Sequence, residues 1–184
     1  MVWIHDEKFF SEDVIRERAK QHGFSDPVQV EYFLWDCEIA AQLQSESSDF
    51  ILKGGTAAQL YLPVAMQRGS IDVDIVCPLT EQEIVKLLSR VHERLRTVAF
   101  TRYTPKQPKK RIEMVTYIAE TQALFSSEKG KRRRIKIDFL LEDLDLPTET
   151  VGEVETFAVN VKKLKCYSIS SLSTLGYSWG RLKK

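Results

Sequence analysis

The run Arg68-Gly69-Ser70-Ile71-Asp72-Val73-Asp74-Ile75-Val76 constrains this chain more than any other segment. Apolar and polar residues alternate in it with the two-residue period of a strand. Asp72 and Asp74 therefore share one face, and Ile71, Val73 and Ile75 share the other, where a core is expected. Two neighbouring carboxylates in an apolar setting repel each other and lose hydration, and a divalent cation between them relieves both effects. Upstream, Leu52-Lys53-Gly54-Gly55-Thr56-Ala57 sets a glycine pair ahead of a short helix expected from Thr56 to about Tyr61. Glycines let a backbone approach a phosphate closely, and the free N–H groups of a first helical turn form an anion pocket. Ser70 and Thr56 could each offer a hydroxyl to a phosphate oxygen. A glycine pair alone is usually a turn; followed by Asp-x-Asp it points to a nucleoside triphosphate held through metal ions.

A third carboxylate lies in Arg134-Ile135-Lys136-Ile137-Asp138-Phe139-Leu140-Leu141. Ile135, Ile137 and Phe139 share one face of this run, leaving Lys136 and Asp138 on the other. If the two strands are neighbours, Asp138 meets Asp72 and Asp74. Three carboxylates suit a two-metal phosphoryl-transfer site, with the third helping to deprotonate an attacking hydroxyl. The competing reading of each carboxylate is a solvated charge on a strand.

The remaining composition bounds the class. At 184 residues, with 43% hydrophobic and 29% charged residues, one soluble domain is expected. No stretch reaches the roughly 20 apolar residues of a membrane span, and the charged N-terminus carries no secretory h-region. Cys37, Cys77 and Cys166 are odd in number and far apart, which reads as reduced thiols in a cytoplasmic protein. His5, His22 and His92 are scattered and read as surface or helix residues. The net charge of +1 conceals an asymmetry, because residues 1–52 hold 4 Lys/Arg against 11 Asp/Glu and residues 102–136 hold 11 against 3. Lys109, Lys110 and Arg111, with Lys131, Arg132, Arg133 and Arg134, form two basic clusters. A solvated turn is the commoner fate of such runs; beside an acidic pocket they could hold RNA by its phosphates.

Helices are expected from Ser11 to His22, from Asp26-Pro27 onward, and from the Thr80–Glu83 capping box to about Arg96. The spacing of Val30, Phe33, Leu34, Cys37, Ala40 and Ala41 supports the second helix. Strands are expected at 49–53, around Asp72 and Asp74 as far as Pro78, and at 111–120, 131–141 and 154–161, with a hairpin connection at 126–130. This order implies an α/β (α+β) fold, a mixed β-sheet with helices packed mainly on one side.

Taken together, the Lys-Gly-Gly-Thr-Ala element, the Arg-x-Ser-x-Asp-x-Asp element and Asp138 resemble the AbiEii-type nucleotidyltransferase toxins of the polymerase-β superfamily, over roughly residues 30–165. The resemblance implies a minimal nucleotidyltransferase domain at 1–165 and a tail at 166–184 that begins a shortened helical region. It implies transfer of a nucleotide from an NTP, with Mg²⁺ or Mn²⁺, to an RNA such as the tRNA 3′ end or to a protein hydroxyl. A cognate antitoxin would be the partner. Lys53, Gly54, Gly55, Thr56, Arg68 and Ser70 would then hold the nucleotide, and Asp72, Asp74 and Asp138 would be the metal-binding catalytic triad. The alternative is a catalytically idle NTP- or RNA-binding module acting through a partner protein.

Overall fold

The computed structural model describes residues 2–104 and 113–175. Five α-helices and seven strands are formed by these residues: α1 (Glu12–Gln21), α2 (Pro27–Glu46), β1 (Ile51–Lys53), α3 (Gly54–Gln59), β2 (Asp72–Val76), α4 (Glu81–Leu95), β3 (Ala99–Tyr103), β4 (Met114–Gln122), β5 (Arg132–Leu140), β6 (Thr148–Glu155), β7 (Asn160–Tyr167) and α5 (Ile169–Thr174). The strands make one sheet in the order β3-β4-β5-β2-β1-β7-β6. It is mixed: β2 runs parallel to β5 and β1 parallel to β7, while the other neighbouring pairs are antiparallel. The fold class read from the sequence is the one observed.

Helix α2 is the spine of the molecule. Asp26 caps it through the N–H of Val28, and Pro27, which has no N–H to lose, occupies the first turn. It is buried from Val30 to Leu43 with only Tyr32 half-exposed. Its neighbours are α1, α3, α4, β2, β5 and β7. A helix covered on every side has no amphipathic stripe, which is why apolar residues recur around its whole circumference. The capping box at Thr80 forms as expected, with Thr80 Oγ1 accepting from the Glu83 N–H and the Glu83 carboxylate accepting from the Thr80 N–H.

Several expectations change. The segment expected as one strand at 154–161 is instead the end of β6, a turn at 156–159 and the start of β7, because Thr156 Oγ1 accepts the N–H groups of Ala158 and Val159 and donates to the Val159 carbonyl. The short exposed edge strand β3 had no alternating apolar signal to announce it. Ile71 is 60% exposed and precedes β2 rather than joining the core. His5 is buried, its Nδ1 lying 2.7 Å from Glu38 Oε2. The three cysteines are buried and unpaired. No helix among the described residues is long and apolar enough to cross a membrane.

Candidate active site

The site is a row of side chains running across four adjacent strands. Register pairs Lys53 of β1 with Asp74 of β2, Asp74 with Asp138 of β5, and Asp138 with Thr116 of β4. Paired positions put side chains on the same face within reach of one another. Lys53 Nζ lies 3.6 Å from Asp74 Oδ1, and Thr116 Oγ1 donates to Asp138 Oδ1 at 2.7 Å. One step along β2, Asp72 is paired with Lys136, whose ammonium donates to Asp138 Oδ2. Three carboxylates and two lysines therefore interleave on one patch, and the strand-neighbour relation inferred for Asp138 is the one observed.

Burial decides the electrostatics. It pushes the Asp74 carboxyl above the ordinary carboxylate value; Lys53 opposes that, while Asp138 and Asp72 add to it as like charges. Lys136 moves the other way. Burial disfavours its charge, but the hydrogen bond and charge of Asp138, with Asp72 and Asp74 behind it, hold its ammonium on more firmly than usual.

A cleft of about 560 Å³ opens beside this row, within the range of small-ligand sites. It is lined by Gln29, Gly55, Gln59, Arg68, Gly69, Ser70, Ile71, Asp72 and Asp74. Two glutamines hold its wall: Gln59 Oε1 accepts the Arg68 N–H at 2.7 Å, and Gln67 bridges the Leu62 carbonyl and the Phe157 N–H. The backbone carrying Arg68 and Ser70 is thus pinned from within, and the exposed Arg68 is free to face a ligand.

The two glycines turn out to differ. Gly55 lines the cleft, but Gly54 has φ +71, and a Cβ there would fall 2.0 Å from Asp74 Oδ2. Glycine at 54 makes room for the Asp74 carboxylate. Thr56 also departs from its expected place. It is wholly buried, and its Oγ1 donates to the Asp72 carbonyl at 2.9 Å, turned away from the cleft.

The basic clusters divide likewise. Lys109, Lys110 and Arg111 lie outside the described residues. Arg132 and Arg134 are exposed, as is Lys131, which pairs with Glu128. Arg133 is 4% exposed, and its guanidinium donates to Glu31 at 2.7 Å and to Glu128. It belongs to the core and cannot meet RNA. The same alternation that puts Asp138 on the site face of β5 puts Arg133 on the opposite face with Ile135, Ile137 and Phe139.

The sequence reading also missed two residues. Gln29 reaches the cleft from the first turn of α2, and no local pattern marks it. Asp36, buried beneath the site, was marked by being an acid inside an apolar helical stripe.

Among the described residues, no group of three His, Cys, Asp or Glu side chains closes tightly enough to hold a metal ion as the side chains stand. Lys53 and Lys136 instead neutralise the carboxylates. The donor set still fits a hard divalent cation: oxygen ligands, a carboxylate that burial and like neighbours disfavour as a charge, and the flexible Lys53 and Lys136 as its counter-charges among the described residues.

Comparison with known proteins gives structural neighbours and a family. JHP933 from Helicobacter pylori superposes with a TM-score of 0.46 at 19% identity, over 86% of this chain and 56% of that one. MenT4, a nucleotidyltransferase toxin from Mycobacterium tuberculosis H37Rv, superposes with a TM-score of 0.49 at 15% identity, again over 86% and 56%. The chain thus spans 56% of the length of each of these solved structures. No curated protein matches it. The family model described as nucleotidyl transferase AbiEii toxin, type IV toxin–antitoxin system, matches residues 39–172, from the middle of α2 through β7 into α5 and across every carboxylate of the row. The chain belongs to the AbiEii nucleotidyl transferase toxin family.

Proposed function

We propose that this protein transfers a nucleotide from an NTP to a hydroxyl of RNA, the tRNA 3′ end being the favoured acceptor, as the toxin of a type IV toxin–antitoxin pair acting in the cytoplasm. The observation that carries the reading is the row Lys53–Asp74–Asp138–Thr116 with Asp72 beside it, next to a cleft large enough for a nucleotide.

In this reading Arg68, Ser70, Lys53 and the backbone at Gly55 hold the triphosphate. Asp72, Asp74 and Asp138 would hold Mg²⁺ or Mn²⁺, which when bound offsets negative charge on the phosphates. The acceptor oxygen attacks the α-phosphorus, a new P–O bond forms, the bond to the bridging oxygen of the β-phosphate breaks, and pyrophosphate leaves. The hydroxyl proton passes to Asp138, once the half-exposed Lys136 ammonium has swung from its Oδ2 toward the incoming phosphates. Arg132, Arg134, Lys136 and Asp138 share one face of β5, so the exposed arginines lie on a straight path to the site. At about 3.3 Å per residue that path spans roughly 20 Å, a few nucleotides of backbone.

The test offers each α-labelled NTP, with Mg²⁺ or Mn²⁺, to total bacterial tRNA, using wild type and Asp74→Asn. Label in RNA from wild type alone supports the reading and identifies the nucleotide. Nucleotide binding without transfer would replace it with the idle-module alternative, and neither binding nor transfer by folded protein would sink both.

A further inference from the structure

Helix α2 buries three acids, and two have partners that account for them. Glu31 receives Arg133 Nε at 2.7 Å and the Leu124 N–H at 2.8 Å. Glu38 receives the N–H groups of Ile4 and His5, the His5 ring and the Gln42 amide. Asp36 is equally buried yet has no ion pair among the described residues. Its Oδ1 meets no donor, and its Oδ2 lies 3.3 Å from Thr56 Oγ1.

A count of protons defines what that contact is. Thr56 has one hydroxyl proton, and its shorter contact, at 2.9 Å, is with the Asp72 carbonyl oxygen, which can only accept. The contact between Thr56 and Asp36 therefore needs a proton of its own, and Asp36 Oδ2 is the atom able to carry it. An ionised Asp36 would set lone pair against lone pair at full burial, with Asp72 and Asp74 nearby as further negative charges. Burial first, then the charge of Asp72, pushes the Asp36 carboxyl well above the ordinary carboxylate range; a Thr56 proton turned toward Asp36 would oppose this, but that proton lies closer to the Asp72 carbonyl.

We propose that Asp36 is kept as a neutral acid and is a positioning residue of the nucleotidyl-transfer site, its Oδ2–H donating to Thr56 Oγ1 while Thr56 donates to the Asp72 carbonyl. This chain ties the buried α2 to α3 and to the first residue of β2, so it sets where the Asp72 carboxylate points. Neutral Asp36 also leaves the negative charge of the site on the three carboxylates that face the cleft. The activity readout below rests on the proposed function; the spectroscopic one does not.

The experiment compares wild type, Asp36→Asn and Asp36→Ala as full chains. Infrared difference spectra of wild type against Asp36→Asn at neutral pH should contain the carbonyl stretch of a protonated carboxylic acid, shifted in D₂O. An amide keeps the shape and the donor, so Asp36→Asn should bind Mn²⁺ and transfer nucleotide near the wild-type level. Asp36→Ala should weaken Mn²⁺ binding by roughly 10–100-fold, the usual loss when a ligand's support is removed. Absence of the acid band overturns the proposal, and so does Asp36→Asn behaving as badly as Asp36→Ala. Wild-type Mn²⁺ affinity in Asp36→Ala overturns the positioning role. If Asp36→Ala fails to fold, the acid band and the Asp36→Asn result still decide. An acid band and intact Mn²⁺ response in a wild type that transfers no nucleotide would fault the proposed function alone.

Discussion

The two ends of strand β5 teach opposite lessons about buried charge. Near its start, Arg133 meets Glu31 of α2 and Glu128, and opposite charges close on each other. Near its end, Asp138 sits beside Asp74 and close to Asp72, and among the described residues these three acids share the two lysines Lys53 and Lys136. The first arrangement is complete without a ligand. The second is tolerated only because Lys53 and Lys136 are drawn in, and a cation from outside would suit it better. Strands of ordinary hydrophobic pattern can carry either arrangement, so a charge on a strand has a meaning only through its partners.

If that contrast is right, the largest effect on chemistry should come from Asp74→Asn, with nucleotide transfer falling by on the order of 100-fold or more. Its melting temperature should hold or rise, because the substitution removes a charge that burial and like neighbours disfavour. A clear loss of stability would break the comparison. Arg133→Ala should do the reverse. It leaves Glu31 buried and unpaired, which costs about 3–5 kcal/mol in denaturant unfolding, while transfer per folded molecule stays near wild type. Gly54→Ala should impair both properties, since it puts a methyl group onto Asp74 Oδ2 at a positive φ; a loss of about 1–3 kcal/mol, with weaker Mn²⁺ binding, is expected.

The Glu38 cluster sharpens the comparison through pH. Burial works against the Glu38 charge, but hydrogen bonds from His5, Ile4 and Gln42 together hold its carboxyl below the ordinary value of 4.5. A folded-state value below the unfolded one gives stability that is complete above the ordinary value and is lost progressively as the pH falls from there through the lower folded-state value. Glu38→Gln should therefore remove about 1–3 kcal/mol at neutral pH and flatten the acid limb of a stability–pH curve. An unchanged acid limb would mean that Glu38 does not drive acid unfolding. The smallest effect is expected from Arg132→Ala with Arg134→Ala. Stability should stay within about 0.5 kcal/mol, while the salt dependence of RNA binding loses a slope of about 1 per phosphate contact removed. An unchanged slope would take β5 out of the RNA path.

Much of this was legible in the chain itself, for definite reasons. The alternation around Asp72 and Asp74 and around Asp138 sets which side chains share a face, whatever the rest of the molecule does. Ser11, Asp26-Pro27 and Thr80 announced helix starts because a cap is a local hydrogen bond. The β6–β7 turn was misread because Val154 to Val161 looks like a strand until Thr156 is seen to bend it. Ile71 was assigned to the core by parity, but parity says nothing about where a strand begins.

By itself the sequence determined the fold class, the helix caps, and the facing of Asp72, Asp74 and Asp138, since each depends on backbone period or on groups a few residues apart. Only the tertiary structure decided that Asp74 and Asp138 are partners, that Gly54 yields its Cβ space to a carboxylate, that Arg133 is a core residue, and that Asp36 lies beneath the site. Those facts depend on which strands become neighbours and what α2 presses against, and side-chain charge acquires its energy from that company.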